Sequence, residues 1–222
     1  MALFLTVYTQ YGSIQLGLFD NTQLLDTVTI QSSKASAYLL TAIQELTQQC
    51  HSPLAFIAVH QGPAPFTTLR VALATVNGIA FATQLPLVPV DGLQVFLNEY
   101  RHKALTLSPP HTPIAMLNAF SNDSYYAYYT PDNQYICGVS TSAELFDLLT
   151  QLPGNFYFIG NAVEQHKHSI QQALHERAYI PEPLPHYASL EAIAQQALTH
   201  WHANYITQEI KPLYLKSSSS HL

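Results

Sequence analysis

The sequence predicts an α/β fold with two subdomains, in which helices flank mixed sheets. Three short strand-like runs separated by turns open the chain, and a helix, a strand and a second helix follow them. A proline-rich interval from Arg101 to Pro113 then interrupts the periodicity, and a second strand-rich stretch comes after it. The expected subdomains are residues 1–106 and 107–222.

The first subdomain begins with a predicted β-meander. Its strands are Leu3 to Thr9, Ser13 to Phe19 and Leu25 to Ile30, with turns at Gln10-Tyr11-Gly12 and Asp20-Asn21-Thr22. The segment from Ser36 to Gln49 is a predicted helix, and its shared apolar face consists of Leu39, Leu40, Ile43 and Leu46. Ala55 to His60 is the predicted strand that leads into the next motif.

The motif is a tight turn that feeds an apolar helix, with the sequence Gln61-Gly62-Pro63-Ala64-Pro65-Phe66-Thr67-Thr68-Leu69-Arg70-Val71. Gly62 permits unusual backbone angles, and a proline in the first helical turn loses no intrahelical hydrogen bond. We expect the helix to extend from about Pro65 to Ala82. Its surface is apolar or small nearly all round, which predicts either a core helix or a helix that packs on a partner.

The second subdomain has the same mixture of elements. The predicted strands are Ile114 to Leu117, Tyr125 to Thr130, Tyr135 to Val139 and Phe156 to Ile159. Thr141-Ser142-Ala143-Glu144 predicts a capping box at the start of a helix, and two further helices are expected at Val163 to Arg177 and Ser189 to Tyr205. The cluster Tyr125, Tyr126, Tyr128 and Tyr129 favours sheet packing over base stacking, because alternate strand residues point to opposite faces.

The composition argues against direct binding of nucleic acid by this chain alone. Charged residues make up 10% of the sequence, against about 25% in an average domain. The net charge of −6, with 8 lysines and arginines, leaves no basic stripe for phosphates. We see no signal peptide or membrane span, so the expected location is cytoplasmic. Cys50 and Cys137 are expected to be reduced and structural.

The catalytic and metal-site patterns that we searched for are absent from the sequence. The chain has 11 histidines but no His-x-x-x-His pair, the spacing that lets one helix offer two imidazoles to a metal. His166 and His168, like His200 and His202, are two residues apart and so point in different directions on a helix. There is no G-x-S-x-G nucleophile motif. The sequence therefore predicts no metal site and no catalytic residues.

The turn-and-helix motif resembles the G-R-G-P-G-S-F-T-G-L-R-I-G signature of the TsaB family, also called YeaZ, of bacterial tRNA threonylcarbamoyladenosine biosynthesis proteins. The matching residues are Gly62, Pro63, Phe66, Thr67, Leu69 and Arg70. Leu85-Pro86-Leu87-Val88-Pro89-Val90-Asp91-Gly92-Leu93 is similar to the next strand and turn of that family, and Lys211-Pro212-Leu213-Tyr214-Leu215-Lys216 is similar to its terminal E-P-x-Y-L-R. The resemblance implies a duplicated actin-like (ASKHA-type) fold.

Several positions depart from the family pattern and mark a divergent member. Thr6 stands where the family has the acid of I-D-T-S, and Asn118-Ala119-Phe120 stands in place of D-A-R. Ala64, Pro65 and Thr68 replace the glycines around the signature turn. An actin-type ATP site needs that acid for magnesium and a turn rich in free amides for phosphate. We therefore expect no ATP hydrolysis by this chain.

The resemblance implies a non-catalytic subunit that binds and activates the transferase TsaD, which modifies the adenosine next to the tRNA anticodon, together with the ATPase TsaE. The expected partner-binding residues are Leu39, Ile43, Phe66, Thr67, Leu69, Arg70, Leu73 and Val76. No cofactor is expected on this chain, while ATP or ADP and metal are expected in the partner subunits. tRNA would be reached only through the complex, and without its partner the chain could form a homodimer.

Two questions stay open at this stage. Arg70 either covers the helix surface and pairs with a carboxylate, or contacts a partner subunit. The alternative to the scaffold function is a stand-alone degenerate actin-like enzyme, either a kinase or an M22-like glycoprotease.

Overall fold

The computed structural model describes residues 2–48, 50–119 and 122–215. The expected helix end at Gln49, the motif position Phe120 and the terminal Lys216 lie outside these described residues. The chain forms two compact units. Unit 1 comprises the described residues up to Gly92 together with Ser189–Leu213, and unit 2 comprises Leu93–Ala188 with the described residues after Leu213.

The helices and strands follow one another in the same order in both halves of the chain. The first half contains β1 (Leu3–Thr9), β2 (Ser13–Asp20), β3 (Gln23–Gln31), α1 (Ala35–Gln48), β4 (Phe56–Gly62), α2 (Phe66–Thr83), β5 (Leu87–Asp91) and α3 (Gly92–Leu105). The second half contains β6 (His111–Asn118), β7 (Asp123–Tyr129), β8 (Tyr135–Thr141), α4 (Ser142–Gln151), β9 (Asn155–Ile159), α5 (Asn161–Leu174), β10 (Ala178–Tyr179) and α6 (Leu190–His202).

The two sheets share one topology. Sheet 1 has the strand order β3-β2-β1-β4-β5, and sheet 2 has the equivalent order β8-β7-β6-β9-β10. In each sheet the first three strands of the half are antiparallel, and the later two run parallel to the central strand. The duplication is therefore visible in the topology, although the sequence shows no repeat, because different apolar residues satisfy the same burial pattern.

The last helix of each half belongs to the opposite unit. α6 packs on β1, β2, β4 and β5 of unit 1, where Trp201 stacks on Phe56 with 4.7 Å between ring centroids. In unit 2, Tyr100 of α3 stacks on Tyr157 of β9 at 6.5 Å. The observed units therefore differ from the expected ranges 1–106 and 107–222: α3 joins unit 2, and Ser189–Leu213 joins unit 1.

Sheet 1 is covered on both faces. On one face, Leu5, Val7 and Leu16 form a buried cluster with the inward sides of α1 and α2. On the other face, the rings of Phe4 and Phe56 stack at 4.5 Å beneath Trp201 of α6. The continuous burial of β1 and β4 is typical of central strands with helices on both sides.

The tyrosine cluster of β7 packs within unit 2. Tyr126 and Tyr128 are each 6% exposed, and their side chains belong to the core between sheet 2 and its helices. On the other face, the Tyr129 hydroxyl donates a hydrogen bond to Asn98 Oδ1 of α3 at 3.0 Å, and the guanidinium of Arg101 lies over the Tyr129 ring. These contacts agree with the predicted role in sheet packing.

Two local features fix the ends of α4. The predicted capping box is confirmed, since Thr141 Oγ1 accepts from the Glu144 amide and Glu144 Oε2 accepts from the Thr141 amide. At the other end, the Arg177 guanidinium donates to the carbonyl oxygens of Leu149, Thr150, Leu152 and Gly154. One arginine thus satisfies carbonyls that the helix terminus leaves without intrahelical partners.

We expect Arg177→Lys to lower the free energy of unfolding by about 1–3 kcal/mol, because an ammonium cannot reproduce the planar fork that reaches several carbonyls at once. Urea denaturation followed by far-UV circular dichroism measures this. The control is Lys167→Ala, which removes an exposed ion pair with Glu182 and is expected to have little effect on stability, because solvent screens the pair. Equal stability of Arg177→Lys and the wild type would contradict the prediction.

Candidate partner-binding surface

The signature turn has the geometry that its sequence predicts. Gly62 ends β4 with φ of 121°, a conformation that side chains disfavour, and a Cβ there would lie 3.2 Å from Leu69 Cδ2. Pro65 is the N-cap of α2, and its carbonyl accepts from the Leu69 amide at 2.9 Å. Glycine at this position therefore allows the chain to pass directly from the buried strand into the helix.

The two ends of the family resemblance meet in space. The Gln61 carbonyl accepts from the Leu213 amide at 2.9 Å, and Gln61 Nε2 donates to the Lys211 carbonyl at 3.3 Å. Near the middle of α2, the Asn77 amide group both donates to and accepts from the backbone of Ile210, at 3.0 and 2.9 Å. The C-terminal segment is thus a structural part of the signature turn.

Five of the eight expected partner-binding residues lie in the core of unit 1. They are Leu39 and Ile43 of α1 and Leu69, Leu73 and Val76 of α2, each no more than 5% exposed. Their side chains belong to the same buried cluster as β1 and β4. This corrects the expectation for these five residues, because the sheet of their own unit already occupies the helix face that they form.

The other three expected residues are exposed at the start of α2. Phe66 is 46% exposed, and Thr67 and Arg70 are also exposed. The Arg70 guanidinium lies 3.8 Å from the centroid of the Phe66 ring, in cation–π geometry. The Arg70 side chain therefore packs over the exposed Phe66 ring on the surface of the helix. The pair presents an aromatic ring and a guanidinium to solvent.

A groove between α1 and α2 continues this surface. It has a volume of about 680 Å³, and its floor includes Ile43 and Ile57. Its walls are formed by Leu40, Gln44 and Thr47 of α1 and by Ala74, Gly78, Ile79 and Ala82 of α2. None of the described residues that line it is charged. Ala74, Gly78 and Ala82 recur every four residues, so one stripe of α2 would allow another backbone to approach closely.

The expectation that Leu40 shares one apolar face of α1 with Leu39, Ile43 and Leu46 is wrong, because those three side chains are buried and Leu40 is not. Leu40 is 49% exposed and Phe81, at the far end of α2, is 83% exposed. Periodicity could not identify the outward stripe of α2, because alanine and glycine there look like core residues. In the described residues, α2 is also the one helix apolar and long enough to span a membrane by composition, a test that core helices of soluble proteins also pass.

The position of the missing acid is closed off. Thr6 is fully buried, and its hydroxyl donates to the Gly17 carbonyl at 3.2 Å. A Cβ on Gly17 would lie 2.6 Å from Leu190 of α6, so the space beside Thr6 is filled. The described residues contain no group of three or more His, Cys, Asp or Glu side chains placed to hold a metal ion.

His60 is a buried histidine just before the signature turn. It is 2% exposed, its ring meets Tyr8 edge-on at 4.9 Å, and it packs so closely on Gly92 that a Cβ there would collide with it. Its Nδ1 has no hydrogen-bond partner among the described residues. Burial lowers the pKa of His60 to about 3, although the carbonyl groups of Thr9 and Gly62 act in the opposite direction.

The comparison with protein families decides the membership of the chain. The model for TsaD, tRNA N6-adenosine threonylcarbamoyltransferase, matches residues 29–218. The chain belongs to this family. Among curated proteins, no sequence matches the chain significantly.

Solved structures with the same fold agree with this membership. YeaZ from Pseudomonas aeruginosa has a TM-score of 0.69 at 20% identity, over 97% of this chain and 100% of that chain. A second P. aeruginosa structure, an uncharacterized protein with similarity to peptidase YEAZ, has a TM-score of 0.70 at 19% identity and the same coverage. A Bacteroides thetaiotaomicron protein with an actin-like ATPase fold and unknown function has a TM-score of 0.52 at 6% identity, over 89% of this chain and 95% of that chain. The actin-like fold and the resemblance to the TsaB (YeaZ) family are confirmed.

We expect Leu73→Asp to destabilise unit 1 by about 4 kcal/mol or more, because it buries an unpaired carboxylate in the core. Urea unfolding followed by the fluorescence of Trp201, the single tryptophan, reports on this unit. Ala74→Asp, on the exposed side of the same helix, is the matched control and should stay folded. A stable Leu73→Asp protein would show that this face of α2 is not core.

The burial of His60 predicts a pH-dependent stability. In the unfolded state the His60 imidazole binds a proton near pH 6.5, whereas in the folded state it does so only near pH 3. The stability that the protein has with a neutral His60 is therefore fully present above pH 6.5 and is lost as the pH falls towards 3. Between these values, the group should lower the free energy of unfolding by up to about 1.4 kcal/mol per pH unit. Urea unfolding of the wild type and of His60→Gln at pH 7 and pH 5 measures the difference. If the free energy of unfolding changed equally between pH 7 and pH 5 in the two proteins, the prediction would be contradicted.

Proposed function

We propose that this chain is a TsaB-type accessory subunit for tRNA threonylcarbamoyladenosine formation. It binds a TsaD-type transferase through the α1–α2 surface and supports transfer of the threonylcarbamoyl group to the adenosine next to the anticodon, without catalysing it. The observation that carries the proposal is the uncharged groove between α1 and α2, with the exposed Phe66–Arg70 pair on the turns of α2 that precede Ala74. Aromatic and arginine side chains are enriched at protein interfaces.

The helix surface is suited to another helix. A stripe of Ala74, Gly78 and Ala82 lets a partner backbone approach, while Ile79 and Leu40 offer apolar contacts on either side. No charged side chain is present among the described residues that line the groove, so a partner helix would desolvate no ionic group of theirs. Arg70 lies at one end, where a carboxylate or carbonyl of the partner can accept a hydrogen bond.

Sequence features support a non-catalytic role within the family. The TsaD subunit is recognised by a metal-binding His-x-x-x-His motif, and this chain has no such pair. Thr6 replaces the acid that an actin-type magnesium site requires. Under this proposal ATP or ADP and metal bind in the TsaD-type and TsaE-type partners, and a cytoplasmic complex, not this chain alone, contacts tRNA. With 8 lysines and arginines and a net charge of −6, the chain contributes little attraction for phosphates.

One contact bears on the alternative of a stand-alone actin-like enzyme. Ser142 Oγ and His166 Nε2 are 2.9 Å apart, as in a nucleophile and its base. Ser142 begins α4 and is 9% exposed, and His166 meets the edge of Phe146, also of α4. These contacts join α4 to α5, so we assign the pair to helix packing. If the purified chain hydrolysed peptide bonds and Ser142→Ala abolished this activity, the pair would be catalytic and this assignment would be wrong.

We expect the purified chain to co-elute with the TsaD-type protein of the same organism and to restore threonylcarbamoyl transfer when TsaE is added. Ala74→Arg should weaken the complex about 10- to 100-fold, because a long charged side chain would enter an apolar interface. Ala203→Arg, an exposed alanine after α6 on the opposite side of sheet 1, is the matched control. Loss of binding with both variants, or with neither, would contradict this surface as the interface.

A further inference from the structure

The outer edge of sheet 1 is a second candidate interaction surface, independent of α1 and α2. β3 is the edge strand, and six of its nine residues, Gln23, Leu25, Asp26, Thr27, Thr29 and Gln31, are exposed. Edge strands present unpaired backbone groups, and proteins usually protect them with proline, lysine, bulges or short length. β3 contains neither proline nor a basic residue.

Protection of β3 is confined to its first half. The pairing with β2 shifts register between Leu18 and Phe19, opposite Leu24 and Asp26, so that Leu25 is the extra residue of a bulge. Asp26, the one charged residue of β3, lies at the same point. Beyond it, the segment Thr27–Gln31 pairs with β2 in regular register and carries no charge. This unprotected segment is the part of the edge that can accept another strand.

The other sheet edges differ from this segment. β5 contains Pro89, and its Leu87 exchanges two backbone hydrogen bonds of 2.9 Å with Thr207 of the C-terminal segment. β10 has two residues. β8 is mostly half-buried and includes Gly138, against which Tyr126 packs. Among the described strands, β3 therefore combines length, exposure and lack of protection.

We propose that Thr27–Gln31 pairs with the same segment of a second copy of this chain, antiparallel about a two-fold axis at Thr29. In this register Thr29 faces Thr29 of the other copy, Val28 faces Ile30 and Thr27 faces Gln31. Residues directly opposite each other point to the same face of the sheet. The two copies would form one continuous ten-stranded sheet, since sheet 1 has five strands.

The segment is self-complementary in this register. Val28 and Ile30 lie on the face that α1 covers, where Ile30 is buried and Val28 packs against the core. Thr27, Thr29 and Gln31 lie on the other, exposed face. The two-fold pairing therefore sets β-branched apolar residues opposite each other on one face and hydroxyl or amide groups opposite each other on the second. Asp26 would face Ser32 of the other copy, so no like charges are opposed.

Charge and size set the strength of this dimer. Each copy carries a net charge of −6, so the copies repel at long range and salt should strengthen the association. A pairing of five residues from each copy is small compared with stable interfaces, which bury about 1,200 Å² or more. The proposed dimer is therefore weak and depends on protein concentration.

Sedimentation velocity of the purified chain over a range of concentration and salt tests the dimer. Thr29→Lys should weaken it about tenfold or more, because two ammonium groups would lie directly opposite at the two-fold axis. Gln23→Lys adds the same charge on the same strand outside the paired segment and should have little effect. Ala74→Arg should leave this dimer intact, which distinguishes it from a homodimer through α1 and α2. A chain that is monomeric at every concentration, or a dimer that Thr29→Lys does not weaken, would overturn the proposal.

A cross-link tests the register. In a protein with Cys50→Ser and Cys137→Ser, Thr29→Cys should form a disulfide between two copies on mild oxidation, since opposed Cα atoms of an antiparallel pair lie about 4.5–5.5 Å apart, within the range that disulfides span. Gln23→Cys is the matched control and should give no dimer on non-reducing gels. Equal cross-linking at both positions would contradict the pairing at Thr29.

Discussion

The burial of sheet 1 on both faces is the constraint on which the first unit depends. α1 and α2 cover one face, but the other carries Phe4, Phe19 and Phe56, which are all fully buried. These rings stack on one another and on Trp201, so the cover must come from α6. His200 Nδ1 also lies 2.8 Å from the Pro89 carbonyl, which ties α6 to β5. The parallel strands β1, β4 and β5 of this mixed sheet need cover on both faces, and the segment Ser189–Leu213 supplies the second cover.

This arrangement also explains why one apolar stripe of α2 stays uncovered. The stripe through Leu69, Leu73 and Val76 fills the space over β1 and β4. Asn77 holds the C-terminal segment on another side of the helix through its amide group. The remaining stripe of small residues has no cover within the described part of unit 1, and it is the stripe that borders the groove. Folding thus uses one side of α2, and the proposed association uses another.

Much of the fold could be predicted from local pattern. The meander, α1, the signature turn, α2 and the capping box at Thr141 all follow from periodicity and turn chemistry, because these are short-range effects. α3 was not predicted, since its run of leucine, valine and aromatic residues does not separate helix from strand. The exchange of α3 and α6 between units depends on ring contacts between residues far apart in the sequence. No local pattern contains that information.

The site was harder to predict than the fold. Leu73 and Ala74 are neighbours in an apolar helix, and only the three-dimensional packing shows that one is core and the other is exposed. The resemblance to the TsaB family points to α2 and its turn but could not identify the outward stripe. The sequence places His60 only at the end of a predicted strand, because nothing in it relates His60 to Gly92, the glycine that makes room for its ring.

The discontinuous composition of unit 1 has a consequence for synthesis of the protein on the ribosome. All the residues of unit 2 from Leu93 to Ala188 are made before α6, whereas unit 1 needs Ser189–Leu213 to complete its cover. During translation, the sheet that is synthesised first is therefore finished last, and its phenylalanine face stays open while the second unit folds. Until Ser189–Leu213 has left the exit tunnel, the nascent chain exposes apolar rings, the kind of surface that makes incomplete folds prone to aggregation.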